Sequence, residues 1–153
     1  MKQLPDFKKS LMISLTLALA FCVPVAQANQ QAEKTLYERL GGYNALSAVV
    51  DDFIGRLVTD THFSRFFAGF STDSKKRIRQ HIVDQFCEAT GGPCIYTGRS
   101  MKQSHAGIGI TESDWNAGAK HLAASLDKFK VPEKEKNEVL AFVTKLKADI
   151  VEK

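Results

Sequence analysis

The chain has 153 residues, with 21 basic side chains, 17 acidic side chains and a formal net charge of +4. Three of the lysines and Asp6 lie before Asn29, so the remainder has 18 basic and 16 acidic side chains and a net charge of +2. This weak charge gives no basis for a nucleic-acid partner or an acidic membrane surface. No internal repeat, low-complexity tract or interdomain linker follows residue 34, so we expect one domain.

The segment over residues 1–28 has the features of a secretory signal peptide. Three lysines precede an apolar run over residues 11–25, and small residues follow it in a cleavage pattern. The run is shorter than the roughly 20 apolar residues of a membrane span. We predict cleavage near Ala28, a loose polar segment over residues 29–34, a domain over residues 35–153, and a periplasmic or secreted location. In the alternative, a retained signal peptide anchors the chain to a membrane.

Three cysteines are present, and cleavage would remove Cys22 and leave Cys87 and Cys94. An even number of cysteines in an exported protein favours a disulfide. The loop that the bridge would close is short, so the chain-entropy model gives it only about 2.5 kcal/mol. Two free thiols, one of them buried, are the alternative.

Apolar side chains recur at three- and four-residue steps, which predicts helices. A short helical piece over residues 36–40 ends at Gly41-Gly42, because glycine commonly ends a helix. A second helix is predicted from about Asn44 to Val58. The segment over residues 60–70 that follows is rich in phenylalanine, whereas connecting segments are normally polar. Its rings form either a plug for the core or a wall for a flat, apolar ligand.

A third helix is predicted from about Asp73 to Thr90. The side chains predicted for its inner face are Ile78, Ile82, Phe86 and Ala89. At 100° per residue, His81 lies on the shoulder of that face.

The loop after this helix opens with Gly91-Gly92-Pro93, so it cannot begin as a regular helix. The chain becomes compatible with a helix again before His105, and two glycines then end the run. The loop therefore presents His105 as a candidate ligand, with a purely structural histidine as the alternative.

Two further helices complete the chain. Thr111 to Asp114 resembles a capping box that opens one of them. Pro132 is well placed in the first turn of the last helix, whose apolar stripe reaches Ile150. No stretch alternates as a strand would, so the predicted fold is all-α.

Several kinds of site are excluded by missing motifs. No Cys-x-x-Cys or His-x-x-x-His pair supports zinc, and no Cys-x-x-Cys-His motif supports a c-type cytochrome. No catalytic-triad, Walker or dinucleotide motif is present. What remains is His105 on a loop, His81 on an apolar helix and a group of phenylalanines. An iron porphyrin needs an axial imidazole, a dry slot for the macrocycle and control of its opposite face.

A set of short motifs in fixed order makes this interpretation specific. The motifs are Leu36-Tyr37-Glu38 before Gly41-Gly42, Asp52-Phe53, Phe66-Phe67, Gly91-Gly92-Pro93, Tyr96-Thr97-Gly98, Met101 and His105. In these, from residue 36 to about residue 150, the chain resembles the group 1 truncated haemoglobins. The resemblance implies a two-over-two helical sandwich that encloses non-covalent haem b, with His105 as the proximal iron ligand.

The resemblance also implies which residues line the haem pocket. They are Phe53, Ile54, Phe63, Phe67, Ile78, Ile82, Phe86, Tyr96, Met101, Ile110, Trp115 and Leu122. Lys102 or Arg99 is expected to reach a haem propionate or to remain a solvated charge.

The chain departs from the family pattern on the distal side. Many relatives have a tyrosine in place of Ile54 and a glutamine in place of Ile82, and Ile78 is apolar as well. Each hydrogen bond lost to a bound gas forfeits about 0.5–1.5 kcal/mol, so we predict weaker retention of oxygen. His81 is then the polar distal candidate. It binds the iron as a sixth ligand, as in some relatives, or it lies at the pocket edge near a propionate or water.

The other two histidines, His62 and His121, are expected to be structural or exposed. The resemblance implies reversible binding of oxygen, nitric oxide or carbon monoxide. The alternative is a haem enzyme that converts nitric oxide to nitrate or acts on peroxide, with an unidentified electron donor. A haem-free helical interaction domain is the second alternative.

Overall fold

The computed structural model describes residues 33–153, so the predicted signal peptide and most of the segment over 29–34 lie outside the described residues. The described chain forms helices and contains no strand. In order these are α1 (Leu36–Arg39), α2 (Gly42–Thr59), α3 (Ser64–Phe67), α4 (Thr72–Ala89), α5 (Met101–His105), α6 (Glu112–Lys128), α7 (Glu133–Thr144) and α8 (Lys147–Ile150). Within this part of the chain, no helix has the length and apolar character that crossing a bilayer requires.

The core lies between two pairs of helices. Helix α2 packs against both α4 and α6, and α6 packs against α7. The side chains at the centre come from the predicted apolar stripes. They are Leu46, Val49, Val50, Val83, Phe86, Cys87, Leu122, Leu126 and Val139. This is the two-over-two helical sandwich that the sequence predicts, and its all-α character is confirmed.

Short polar side chains fix where the helices begin. Thr111 and Asp114 form the predicted capping box, each side chain accepting from the other residue's backbone N–H at the start of α6. Ser100 and Gln103 form a second box at the start of α5. A helix of only five residues is unstable by itself, so α5 depends on such local and tertiary contacts.

Three details differ from the sequence-based prediction. The phenylalanine-rich segment contains a short helix, α3, which was not predicted. The last helix is divided into α7 and α8 because the N–H groups of Lys145 and Leu146 bond to the carbonyls of Phe142 and Val143, three residues back. Bonds of this kind tighten a helix end and interrupt the α-helical pattern. Ala89, assigned to an inner face, is exposed at the last position of α4.

A disulfide joins the end of α4 to the loop that leads to α5. The sulfur atoms of Cys87 and Cys94 are 1.99 Å apart, and Cys87 is fully buried. Gly92 is required between them, since a Cβ atom there would lie 2.7 Å from the Cys87 Sγ and 2.6 Å from the Tyr37 ring. Tyr37 also donates its backbone N–H to the carbonyl of Thr90, at 2.8 Å, so α1 packs at the same point.

Candidate functional site

A largely apolar cavity of about 380 Å³ lies within the sandwich. All the residues predicted to line a pocket, including His81 and His105, do line it, with the exception of Lys102. Lys102 is exposed on α5, and Arg99 is exposed just before that helix. Phe66 and Phe70, from the phenylalanine-rich segment that was one candidate wall for a flat ligand, line it as well. The lining residues that the sequence did not single out for the pocket are Leu57, Gln85, Ser104, Ile108, Asp114, Gly118, Ala119, Val143, Leu146 and Ile150.

His105 is held at the end of α5 by a hydrogen bond within its own helix. Its Nδ1 lies 2.8 Å from the carbonyl oxygen of Met101, one turn earlier. A carbonyl oxygen only accepts, so Nδ1 carries the proton and the neutral imidazole keeps a free lone pair on Nε2. This arrangement of a ring N–H on a backbone carbonyl is the usual support for a metal-ligating histidine.

His81 contributes a second imidazole, from α4. Its Nδ1 is buried and has no hydrogen-bond partner among the described residues. Its ring meets the Tyr96 ring nearly edge to face, with the ring centres 6.0 Å apart. Tyr96 is fixed by donating its hydroxyl to the carbonyl of Arg99 at 2.6 Å. A buried polar atom normally has a partner, so the Nδ1 of His81 has hydrogen-bonding capacity that the described residues leave unused.

The rest of the α2 and α4 walls is mainly apolar. Ile54, Ile78 and Ile82 all line the cavity, as the sequence predicts. Gln85 lines it too, and it is a second polar side chain on the same helix as His81. Its position four residues after His81 places the two on one helix face, so helical spacing alone could have found it.

Asp114 anchors the phenylalanine-rich segment to α6. Its carboxylate accepts from the Thr111 backbone and hydroxyl at 2.8 and 2.7 Å. The same carboxylate lies 2.7 Å from both the Arg65 and the His62 nitrogens. Burial raises the pKa of Asp114, but the Thr111 hydrogen bonds and the neighbouring Arg65 and His62 side chains outweigh it, so the pKa is lowered overall. His62 therefore has a structural position outside the cavity lining.

We expect Asp114→Ala to lower the free energy of unfolding by about 1–2 kcal/mol near pH 7, because the α6 cap and the ties to α3 are lost. The folded-state pKa is depressed, so the ionised form stabilises the fold above the ordinary aspartate pKa of about 3.9. That contribution is lost as the pH falls through the lower folded-state value. Urea unfolding near pH 7 and near pH 2 should therefore show a difference from the parent that shrinks in acid.

The carboxylate of Asp149 is exposed and has no ion-pair partner among the described residues, so Asp149→Asn provides the control and should unfold like the parent at both pH values. Equal urea midpoints for Asp114→Ala and the parent at neutral pH would contradict the assignment.

His121 on α6 makes a second contact with the start of the phenylalanine-rich segment. Its Nε2 lies 2.7 Å from an oxygen of Asp60, at the end of α2. His121 does not line the cavity. Of the four histidines, only His81 and His105 reach the cavity wall.

The residues present fit a haem group. The cavity is within the range of about 300–1,000 Å³ that encloses small ligands and cofactors. It offers a free Nε2 on His105, apolar walls, and a buried His81 nitrogen that has no partner in the described part of the chain. Both cysteines of the described chain are joined to each other, so neither thiol is available for covalent haem attachment.

Comparison with known proteins gives one family. Residues 35–152 match the model of the bacterial-like globins. The chain is 36% identical over 126 residues to the group 1 truncated haemoglobin GlbN of Mycolicibacterium paratuberculosis, covering 82% of this chain and 90% of that one. It is 35% identical over 119 residues to GlbN of Nostoc commune, covering 78% and 98% of the two chains.

Solved structures with the same fold include the truncated haemoglobin of Tetrahymena pyriformis in its Fe(III) form. That structure has a TM-score of 0.71 and 29% identity, and the match covers 78% of this chain and all of that one. The 2/2 haemoglobin of a Synechococcus species, solved in the cyanomet state with covalently attached haem, has a TM-score of 0.70 and 29% identity. That match covers 77% of this chain and 98% of the other.

Proposed function

We propose a function from the premise that this chain belongs to the bacterial-like globin family and, within it, to the group 1 truncated haemoglobins. It is a haem b protein that reversibly binds a diatomic gas, which is oxygen, nitric oxide or carbon monoxide. The observation that carries the proposal is His105 in the wall of an apolar cavity, with Nδ1 donated to the Met101 carbonyl and Nε2 free.

The bound haem would supply an iron atom at which the gas coordinates. His105 would hold the iron through its Nε2. Its Nδ1–H bond to Met101 fixes the tautomer and the ring orientation, and it raises the basicity of the ligand. Lys102 on α5 and Arg99 just before it are both exposed and are suited to pair with propionates that extend toward solvent.

The isoleucines at positions 54, 78 and 82 supply no hydrogen bond to a bound gas. We therefore expect oxygen to leave faster than from relatives with a tyrosine and a glutamine at positions 54 and 82. His81 and Gln85 are the polar side chains that α4 contributes to the cavity wall. The hydrogen bonds that these two side chains make to a bound gas decide how strongly the distal side retains it.

We expect His81 to bind the iron when no gas is bound, because its ring lies in the cavity wall and its buried Nδ1 has no hydrogen-bond partner among the described residues. The ferric parent should show a low-spin, six-coordinate absorption spectrum. His81→Ala should convert it to a high-spin spectrum, since the ligand is lost and water takes its place. Gln85→Leu is the matched control on the same helix and should stay low-spin. A parent that is already high-spin near neutral pH would place His81 at the pocket edge instead.

The decisive experiment for the whole proposal is absorption spectroscopy of the reconstituted protein, ferric and ferrous, with and without carbon monoxide. A Soret band that shifts when carbon monoxide is added supports gas binding. A chain that takes up no haem would be a helical interaction domain. Rapid consumption of nitric oxide or peroxide by the reduced protein, sustained by an added electron donor, would instead favour the enzyme.

Export of the chain is part of the proposal. The signal-peptide pattern and the Cys87–Cys94 disulfide both suit an oxidising compartment. Mass spectrometry of the protein recovered from the periplasm or the medium should find an N-terminus near Asn29. A full-length protein in the membrane fraction would indicate that the signal peptide is retained as an anchor.

A further inference from the structure

The C-terminal end of the chain folds back onto the segment that follows His105. The carboxylate of Glu152 accepts the backbone N–H of Gly109 at 2.6 Å with one oxygen and the N–H of Gly107 with the other. The backbone N–H of Glu152 bonds to the carbonyl of Ile110 at 2.8 Å. One residue thus makes three hydrogen bonds to the segment over residues 107–110, which lies far earlier in the chain.

These bonds act on a part of the backbone that is not fixed by regular structure. Gly107 and Gly109 have φ angles of +78° and +76°, which are left-handed conformations that glycine adopts readily. Ile108, between them, donates its N–H to the carbonyl of His105 at 3.2 Å. The Glu152 carboxylate thus holds the two glycines on either side of Ile108, and Ile108 in turn bonds to the carbonyl of His105.

Hydrogen bonds hold both ends of helix α5 in place. The capping box at Ser100 and the hydrogen bond of Tyr96 fix the start of this five-residue helix. Beyond His105, the backbone bonds of residues 107–110 to Glu152 fix the other end. Hydrogen bonds from backbone N–H groups to a carboxylate are charge-assisted and stronger than neutral ones.

We infer that Glu152 is a positioning residue for the proximal histidine. It holds the turn after α5 and thereby sets the orientation of the His105 imidazole toward the haem. The inference rests on the proposed function, in which His105 is the iron ligand. Nothing in the local sequence around His105 indicates it, because the partner lies at the far end of the chain.

Glu152→Ala tests the inference, with Glu152→Gln as the conservative variant and Glu112→Gln as the matched control. Glu112 ties the same end of the molecule through a 2.6 Å ion pair with Lys147, but its side chain does not bond to residues 107–109. Two readouts are measured on haem-loaded protein. One is the rate of haem transfer to excess apomyoglobin, and the other is the iron–histidine stretching band in the photolysed carbon monoxide complex.

Glu152→Ala should release haem about tenfold faster than the parent, as expected when a supporting group behind a metal ligand is removed. Its iron–histidine band should shift and broaden, because the imidazole orientation is no longer fixed. Glu152→Gln keeps one acceptor oxygen, so its haem release rate and band position should lie between those of the parent and Glu152→Ala. Glu112→Gln should match the parent in both readouts, and circular dichroism should show full helix content in every variant.

Two outcomes overturn the inference while leaving the proposed function intact. In the first, the parent binds haem and Glu152→Ala matches it in release rate and band position. In the second, Glu112→Gln changes both readouts as much as Glu152→Ala does, so that docking of the tail, and not the carboxylate, is responsible. A parent that binds no haem overturns the proposed function and the inference together.

Discussion

His105→Gly is expected to abolish stable haem binding, with a loss of affinity of at least about 100-fold. His105 is the histidine whose Nε2 is left free by a hydrogen bond to its own helix, so its removal takes away the only imidazole prepared for the proximal side. Glycine also leaves space for a small replacement ligand. Adding imidazole to the variant should restore a Soret band, which would show that the remaining pocket is intact.

The control for this experiment is His121→Ala. His121 pairs with Asp60 and does not line the cavity, so its removal should leave the haem spectrum unchanged even if stability falls. A His105→Gly protein with the parent's spectrum in the absence of imidazole would show that another residue holds the iron.

Removing the disulfide is expected to have the largest effect on stability. For a bridge that joins residues 7 positions apart, the chain-entropy model gives about 2.5 kcal/mol. Replacing the fully buried Cys87 in addition removes packed atoms from the core. The double variant Cys87→Ala with Cys94→Ser should therefore unfold at a clearly lower urea concentration than the oxidised parent.

The reduced parent separates the two contributions, because it lacks the bridge and keeps both sulfur atoms. A reductant should lower the urea midpoint of the parent and leave that of the double variant unchanged. Oxidised and reduced parent proteins with the same midpoint would show that the bridge contributes nothing to stability.

The positions of the main helices could be predicted from the sequence, because the buried face of a helix repeats apolar side chains at three- and four-residue steps. The stripes of α2, α4 and α6 follow three- and four-residue steps, and the cap at Thr111 has a recognisable local pattern. The break between α7 and α8 leaves no such trace. No glycine or proline occurs from residue 140 to residue 150, and the apolar spacing continues through the break. Only the backbone bonds show that the helix stops.

The candidate site likewise contains residues that the sequence predicts and residues that only the structure shows. His105 and His81 are accessible because histidine is rare in this chain and the surrounding motifs resemble a known family. Gln85 is accessible in the same way, because its spacing from His81 is helical. The support from Glu152 could not be foreseen, because its hydrogen bonds to Gly107 and Gly109 join positions that are distant in the chain. Periodicity within a helix contains no information about such a pairing.

The cavity wall also sets the order in which the protein can be assembled. Its lining begins at Phe53 and ends at Ile150, so it draws on residues about 100 positions apart in the chain. A growing chain therefore has no complete wall until Ile150 has been added, and a fragment that ends before this residue leaves the cavity open. If the chain crosses a membrane unfolded, as the proposed signal peptide implies, the cofactor must be delivered on the far side. The cell then needs a supply of haem in the compartment where this chain folds.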